Sequence, residues 1–315
     1  MEHNTRMKKI VVTGANGQLV SDLINELSFG ENCEYEVFPF TREELDVTDA
    51  EKVGYTFYDI EPDVWVQGAS YHVVEEINKN PQKAADVNVA SLHTISQHCN
   101  DHNATLINFS TNYVFDGREM PIEGFTAREH YNEEDTPNPV NLYGILKYAG
   151  ERVVATTCDK YYNIRVSGLF SKQGSRAKDG NCFPGTILNQ IDENGRADVV
   201  ADQVVNLTYT PTAAKWIEKM IRKENKDVYG LYHLVNKGDV TWFEAAQELA
   251  GLIGQFEDVY PIDSGEFYTN LQRPLWAPLN PTKLERTFRD DKDEEIPYLR
   301  EDLGNYLKEI GRIQC

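Results

Sequence analysis

A short β-branched run, Lys9-Ile-Val-Val-Thr13, passes without a spacer into Gly14-Ala-Asn-Gly-Gln-Leu-Val20 and then Ser21-Asp-Leu-Ile-Asn-Glu-Leu27. The first run reads as a buried strand. Leu19, Leu23, Ile24 and Leu27 fall on one helical face, so the last run reads as a helix. Strand, glycine turn and helix in this order make the first unit of a dinucleotide-binding fold. Gly14 permits the tight turn, and Gly17 lets the backbone approach a pyrophosphate at the helix N-terminus. The spacing would place a third glycine at position 20, for close helix–strand packing, but Val20 stands there. A slightly displaced helix is expected.

The alternation continues. Tyr35 to Phe40 reads as a second strand, followed by Thr41 and Arg42. An acidic residue at that strand end would bind an adenosine ribose and favour NAD. A neutral residue beside an arginine suits a 2′-phosphate instead, which points to NADPH, with NADH as the alternative. Leu45-Asp46-Val47 leads to Thr48-Asp-Ala-Glu51, a capping-box pattern that opens a helix. Pro62 to Ala69 is a further strand, ending in small residues where a cofactor could pass. Asn80-Pro81 starts a helix through Val87, Ala90, Leu92 and Ile95. Ala104 to Phe109 is the next strand, and Ser110 and Thr111 stand at its carboxyl end, where ligands sit in an open parallel sheet. Tyr162 to Val166 follows as another. The fold class is α/β: a doubly wound parallel sheet of Rossmann type with a smaller mixed α/β domain.

Pro137 to Glu151 carries the chemistry. Of the 17 tyrosines, only Tyr143 has a lysine four residues on, Lys147. On a helix that spacing puts both side chains on one face, one turn apart. An ammonium so close to a phenol favours phenolate, so the pKa of Tyr143 is expected to fall. Such a tyrosine can hand a proton to a carbonyl oxygen while hydride reaches the carbon.

Composition narrows the partners. A net charge of −20 disfavours phosphate backbones and anionic lipid, so neither nucleic acid nor membrane is expected. An anionic ligand needs a local positive site. Five cysteines, odd in number and without a C-x-x-C pair, suggest neither a disulfide framework nor a zinc site. With no signal peptide at the start and no apolar run near the roughly 20 residues that span a bilayer, a cytoplasmic setting is expected.

These pieces together resemble one family. T-G-A-N-G-Q-L, L-D-V-T-D, F-S-T-N-Y-V-F-D-G (Phe109 to Gly117) and N-L-Y-G-I-L-K-Y-A-G-E are similar to the extended short-chain dehydrogenases, and within them to the dTDP-4-dehydrorhamnose reductase family. The resemblance runs on through D-Q-V-V-N-L-T-Y-T (Asp202 to Thr210), G-L-Y-H-L-V (Gly230 to Val235), V-T-W-F-E-A-A and R-P-L-W-A-P-L-N (Arg273 to Asn280). It implies reduction of a nucleotide-linked 4-keto-6-deoxy sugar, most simply the last step to dTDP-L-rhamnose. Tyr143 would protonate the keto oxygen, Thr111 would polarise it, and Lys147 would bind the nicotinamide ribose. No metal is needed, because the hydride comes from the nicotinamide. The implied cofactor site takes in Gly14, Asn16, Gly17, Gln18, Leu19, Thr41, Arg42, Asp46, Val47, Gly68, Ala69, Ser70, Tyr71, Phe109 and Ser110, together with Tyr143 and Lys147. The implied substrate site takes in Thr111, Asn112, Tyr113, Gly168, Asn181, Thr208 and Arg273. Arg273 supplies the positive charge that a sugar nucleotide's diphosphate requires of an acidic chain.

The chain departs from the family pattern in three places. S-T-D-Y becomes Ser110-Thr111-Asn112-Tyr113, N-A-A-A becomes Gln67-Gly68-Ala69-Ser70, and R-T-S-W becomes Arg165-Val-Ser-Gly168. The last change leaves the sugar pocket without the tryptophan that gives it a stacking surface. Two other functions fit the same family: a nucleotide-sugar epimerase or dehydratase that keeps NAD bound, and a non-catalytic subunit like the regulatory subunit of methionine adenosyltransferase. The expected division is 1–166 for the dinucleotide domain, taking in part of 196–235, with 167–195 and 236–315 for substrate. The polar stretch Ser171 to Cys182 reads as a mobile loop over the site. A monomer or homodimer is expected.

Overall fold

The computed structural model describes residues 6–29, 35–117, 130–175, 180–267 and 272–314. Strands β1 (Lys8–Thr13), β2 (Tyr35–Phe40), β3 (Val64–Gln67), β4 (Thr105–Thr111) and β5 (Tyr161–Val166) join an edge strand, Gly230–His233, in one six-stranded sheet. The order is β2-β1-β3-β4-β5-edge, and every neighbouring pair is parallel. The order reverses at β1 and β3, which opens a crevice beyond their carboxyl ends.

The helices are α1 (Gln18–Phe29), α2 (Ala50–Ile60), α3 (Val74–Ile77), α4 (Pro81–Ala85), α5 (Ser91–Asp101), α6 (Leu142–Thr157), α7 (Phe183–Asn194), α8 (Thr210–Arg222), α9 (Trp242–Leu252), α10 (Ser264–Phe267), α11 (Thr282–Phe288) and α12 (Leu299–Glu309). Alternate residues of β1 serve opposite faces of the sheet, as a period of two requires. Ile10 and Val12 pack with Leu19, Leu23 and Leu27 of α1 and with Ile217 and Ile221 of α8. Val11 packs with Phe57 of α2, Ile95 of α5 and Val154 of α6. Helices therefore cover both faces, and the sheet is doubly wound.

Two local expectations change. Asp49, not Thr48, caps α2, its carboxylate accepting from the Lys52 amide at 3.1 Å. The Thr48 hydroxyl is already committed to Asp46, at 2.7 Å. The run from Asn80 is not one regular helix: a π-helical turn, Asp86–Ala90, joins α4 to α5.

A second core gathers Phe170, Leu188 of α7, Leu207, Leu249 of α9 and Leu303 of α12. Short strands brace it: Ala197–Val200 pairs with Val259–Ile262, and Leu169–Phe170 with Thr208–Tyr209. The chain crosses between cores more than once. Helix α8 and the edge strand pack on the first core, and so do Leu284 and Phe288 of α11 and Ile296. Part of the stretch expected in the substrate domain thus packs on the core beside the sheet. Among the described residues, no helix is long and apolar enough to cross a membrane.

Candidate active site

The crevice is lined by backbone. Gly14 ends β1 at φ +67°, a left-handed conformation that glycine adopts without strain, and its carbonyl accepts from the Gly17 amide at 2.8 Å. Val20 turns out to be matched by Gly68: a Cβ at position 68 would lie 2.5 Å from Val20 Cγ1 and 2.6 Å from the Thr13 carbonyl oxygen. The two departures from the family pattern are one exchange of bulk across the crevice floor. The valine, 2% exposed, lies in the core with Leu19. Asn16 is exposed at the turn, while Gln18 is buried and reaches Ser171 Oγ at 3.4 Å. A turn whose glycines keep side chains off the backbone fits the pyrophosphate of a dinucleotide.

At the end of β2, Glu44 accepts from both the amide and the hydroxyl of Thr41, each at 2.8 Å. Arg42 is exposed, 3.4 Å from the Asp46 carboxylate, and Val47 is buried beneath them. Beyond β3, Ser70 and Tyr71 are pinned by a residue the sequence reading missed. Asn88 Oδ1 accepts from Ser70 Oγ at 3.1 Å and from the Tyr71 amide at 3.0 Å, and its Nδ2 donates to the Tyr71 carbonyl at 2.8 Å. Asn88 belongs to the π-helical turn, and α6 presses on it: a Cβ on Gly150 would lie 2.5 Å from the Asn88 carbonyl oxygen. The signal was a polar residue between Ala84 and Leu92 on the buried stripe.

Thr111, Tyr143 and Lys147 come together where β4 meets α6. Asn141 caps α6 through the Gly144 amide at 2.9 Å and also holds the Gln272 carbonyl at 3.0 Å. The Thr111 hydroxyl accepts from the Tyr113 amide at 3.2 Å and lies near enough to Tyr143 to lower its pKa. The Tyr113 ring stands edge-on to the Tyr143 ring at 5.7 Å and 76°. Burial pushes the Tyr143 phenol up to about 12, against the Thr111 hydrogen bond, which acts downward. The fall expected from Lys147 does not occur. Burial instead holds the lysine down, to about 8, with Glu151 opposing. Removal from water penalises the charged form of each group and is the largest cause of both shifts. Lys147 is 5% exposed.

One turn further along α6, Glu151 receives both arms of Arg165, at 2.8 and 2.7 Å, and a short hydrogen bond from Ser110. Arg165 also lies 3.4 Å from His233 Nε2. Ser110, expected beside the cofactor, therefore has its hydroxyl in this sealed cluster, and Phe109 is half-buried against the first core.

The substrate residues divide. Asn112 is 2% exposed, and its amide donates to the Ala277 carbonyl at 3.4 Å, a bond an ionised Asp could not give. Gly168, at φ +49°, faces a replacement for the missing indole: its Cβ would lie 3.3 Å from Cη2 of Trp242. Trp242 leans on Phe183 with ring centroids 4.7 Å apart. Position 242, 74 residues further along the chain, thus puts an indole beside Gly168. Thr208 is 2% exposed and is tied beside Gly168, its amide donating to the Gly168 carbonyl at 3.2 Å and its hydroxyl to the Ser167 carbonyl at 2.7 Å. Asn181 is exposed and accepts from Asn189 at 3.4 Å, while part of the loop expected to cover the site, 176–179, lies outside the described residues. Arg273 does reach the group: Nη1 donates to Tyr113 Oη at 3.2 Å and Nη2 to Glu75 Oε1 at 2.7 Å.

The chain is similar to known proteins along most of its length. Residues 7–311 match the family of the RmlD substrate binding domain. The chain is 31% identical over 252 residues to the dTDP-4-dehydrorhamnose reductase of Escherichia coli (strain K12), covering 77% of this chain and 79% of that protein. It is 27% identical over 303 residues to the spore coat polysaccharide biosynthesis protein SpsK of Bacillus subtilis (strain 168), covering 96% and 98%. Its structure is similar to that of dTDP-4-dehydrorhamnose reductase from Bacillus anthracis str. Ames, solved in complex with NADP: TM-score 0.84 at 30% identity, over 96% of this chain and 99% of that one.

Proposed function

The chain belongs to the dTDP-4-dehydrorhamnose reductase family, and from that premise we propose that it reduces the 4-keto group of a nucleotide-linked 6-deoxy sugar with NADPH. The simplest substrate is dTDP-4-dehydrorhamnose and the product dTDP-L-rhamnose. The observation that carries this reading is the meeting of Thr111, Tyr143 and Lys147 at the carboxyl end of β4, beside a glycine-lined crevice.

When bound, the reduced nicotinamide supplies hydride to the sugar carbon. Tyr143, which burial raises to about 12, is a phenol at neutral pH, the state that can give a proton to the keto oxygen. The Thr111 hydroxyl steadies that oxygen and the phenol together. The Lys147 ammonium holds the ribose hydroxyls next to the ring. Gly14, Gly17 and the start of α1 take the pyrophosphate. Arg42, exposed at the end of β2, takes the 2′-phosphate, which favours NADPH over NADH. Trp242 and Phe183 give the sugar an apolar wall, and Arg273 takes the diphosphate. The enzyme works in the cytoplasm, as a monomer or homodimer.

The test is direct. Mixed with NADPH and a dTDP-linked 4-keto-6-deoxy sugar, the protein should consume absorbance at the cofactor band. No turnover with any 4-keto nucleotide sugar would sink the reading. Cofactor that copurifies as NAD and survives dialysis would favour an epimerase or dehydratase instead.

A further inference from the structure

The Arg273–Glu75 pair joins parts of the chain 198 residues apart, and its two halves are unequally placed. The arginine side chain is 17% exposed and the glutamate side chain 57% exposed. A second contact, to Tyr113 Oη at 3.2 Å, fixes the guanidinium from the protein side. Glu75 sits on the four-residue helix α3 and faces solvent on its far side. A guanidinium withdrawn this far from water needs an anion beside it. The carboxylate supplies one, and of the two it is the half that solvent can take back.

From this inequality we infer that Glu75 is a stand-in anion: it occupies on Arg273 the place of a phosphate of the ligand's diphosphate, and so sets the affinity that a nucleotide must exceed to enter. The inference rests on the proposed nucleotide-sugar substrate. A half-solvated ion pair is weak. A diphosphate offers a forked, charge-assisted contact that is stronger, so it displaces the carboxylate where a neutral sugar cannot. Tyr113 keeps Arg273 aimed during the exchange, and the edge contact from Tyr113 to Tyr143 ties that exchange to the catalytic phenol.

The test is dTDP binding by calorimetry, not turnover. Glu75→Gln removes the competing charge at an exposed position and should lower the Kd for dTDP about fivefold, the size of a weak surface ion pair, leaving the Kd for NADPH unchanged. In an Arg273→Ala background the same substitution should do nothing. An unchanged Kd in Glu75→Gln overturns the inference. A raised Kd also overturns it, since Glu75 would then aim the arginine and not compete for it. Failure to bind dTDP in every form removes it as well. Tightened dTDP binding without reduction of any keto sugar would leave this inference standing and sink the proposed reaction.

Discussion

Lys147 and Glu151 stand one turn apart on α6, both almost fully buried, yet they live under opposite rules. Glu151 is saturated: Arg165 grips it with two hydrogen bonds, Ser110 donates to it, and its backbone carbonyl takes the Asn163 amide at 3.0 Å. Lys147 is held near 8 by burial, with the Glu151 charge opposing. The sealed cluster holds the helix to the sheet. A lysine and a phenol on one helix, both shifted by burial, mark a place for chemistry. The same contrast separates Ser110 from Thr111. The Ser110 hydroxyl is spent on Glu151, while Thr111 stands beside Tyr143.

The largest effect should come from Tyr143→Phe, which removes the proton donor and leaves the packing. We expect kcat to drop about 10²–10⁴-fold with an unchanged melting temperature; a variant that keeps wild-type turnover would end the contrast. Arg165→Met tests the sealed side. It strands a buried carboxylate and should cost about 3–5 kcal/mol in denaturant unfolding. If it instead leaves stability alone and abolishes turnover, the lower cluster belongs to the chemistry too.

The pH profile sharpens the comparison further. With Lys147 near 8 and Tyr143 near 12, kcat/KM should fall about tenfold per pH unit above about pH 8 as the ammonium is lost. That limb should vanish in Lys147→Arg, whose guanidinium stays charged; a limb that persists there belongs to another group. The smallest effect concerns His233, held well below its ordinary 6.5 by burial and by the Arg165 guanidinium beside it. The unfolded chain then binds a proton that the fold refuses. The contribution is complete above 6.5 and is lost as pH falls, by at most about 1.4 kcal/mol per unit. His233→Gln should flatten that slope in unfolding experiments run between pH 7 and 5.

The parts of the site that were legible in the sequence are those made by near neighbours. The Gly14 turn and the Tyr143–Lys147 pair each lie within one turn or one helix, and spacing alone sets their geometry. The direction of the Tyr143 shift was misread because spacing reports proximity and not enclosure, and here enclosure dominates. Trp242 beside Gly168, Gly68 beneath Val20 and Glu75 on Arg273 stayed hidden because each contact joins distant segments. Two of them did leave a trace, as departures from the family pattern at positions 20, 68 and 168. A missing side chain in one place was the print of a large one arriving from elsewhere.

The π-helical turn at Asp86–Ala90 has a consequence for how this protein can change. A turn closed by i→i+5 bonds holds about one residue more than an ordinary turn and sweeps nearly the same angle, so removing one residue there would restore the ordinary helix with its flanks almost in place. Ala84 and Leu92 would stay on the buried side. What would be lost is the wide turn itself, where Asn88 holds Ser70 and Tyr71, so a deletion here should loosen the segment after β3 and spare the helices on either side.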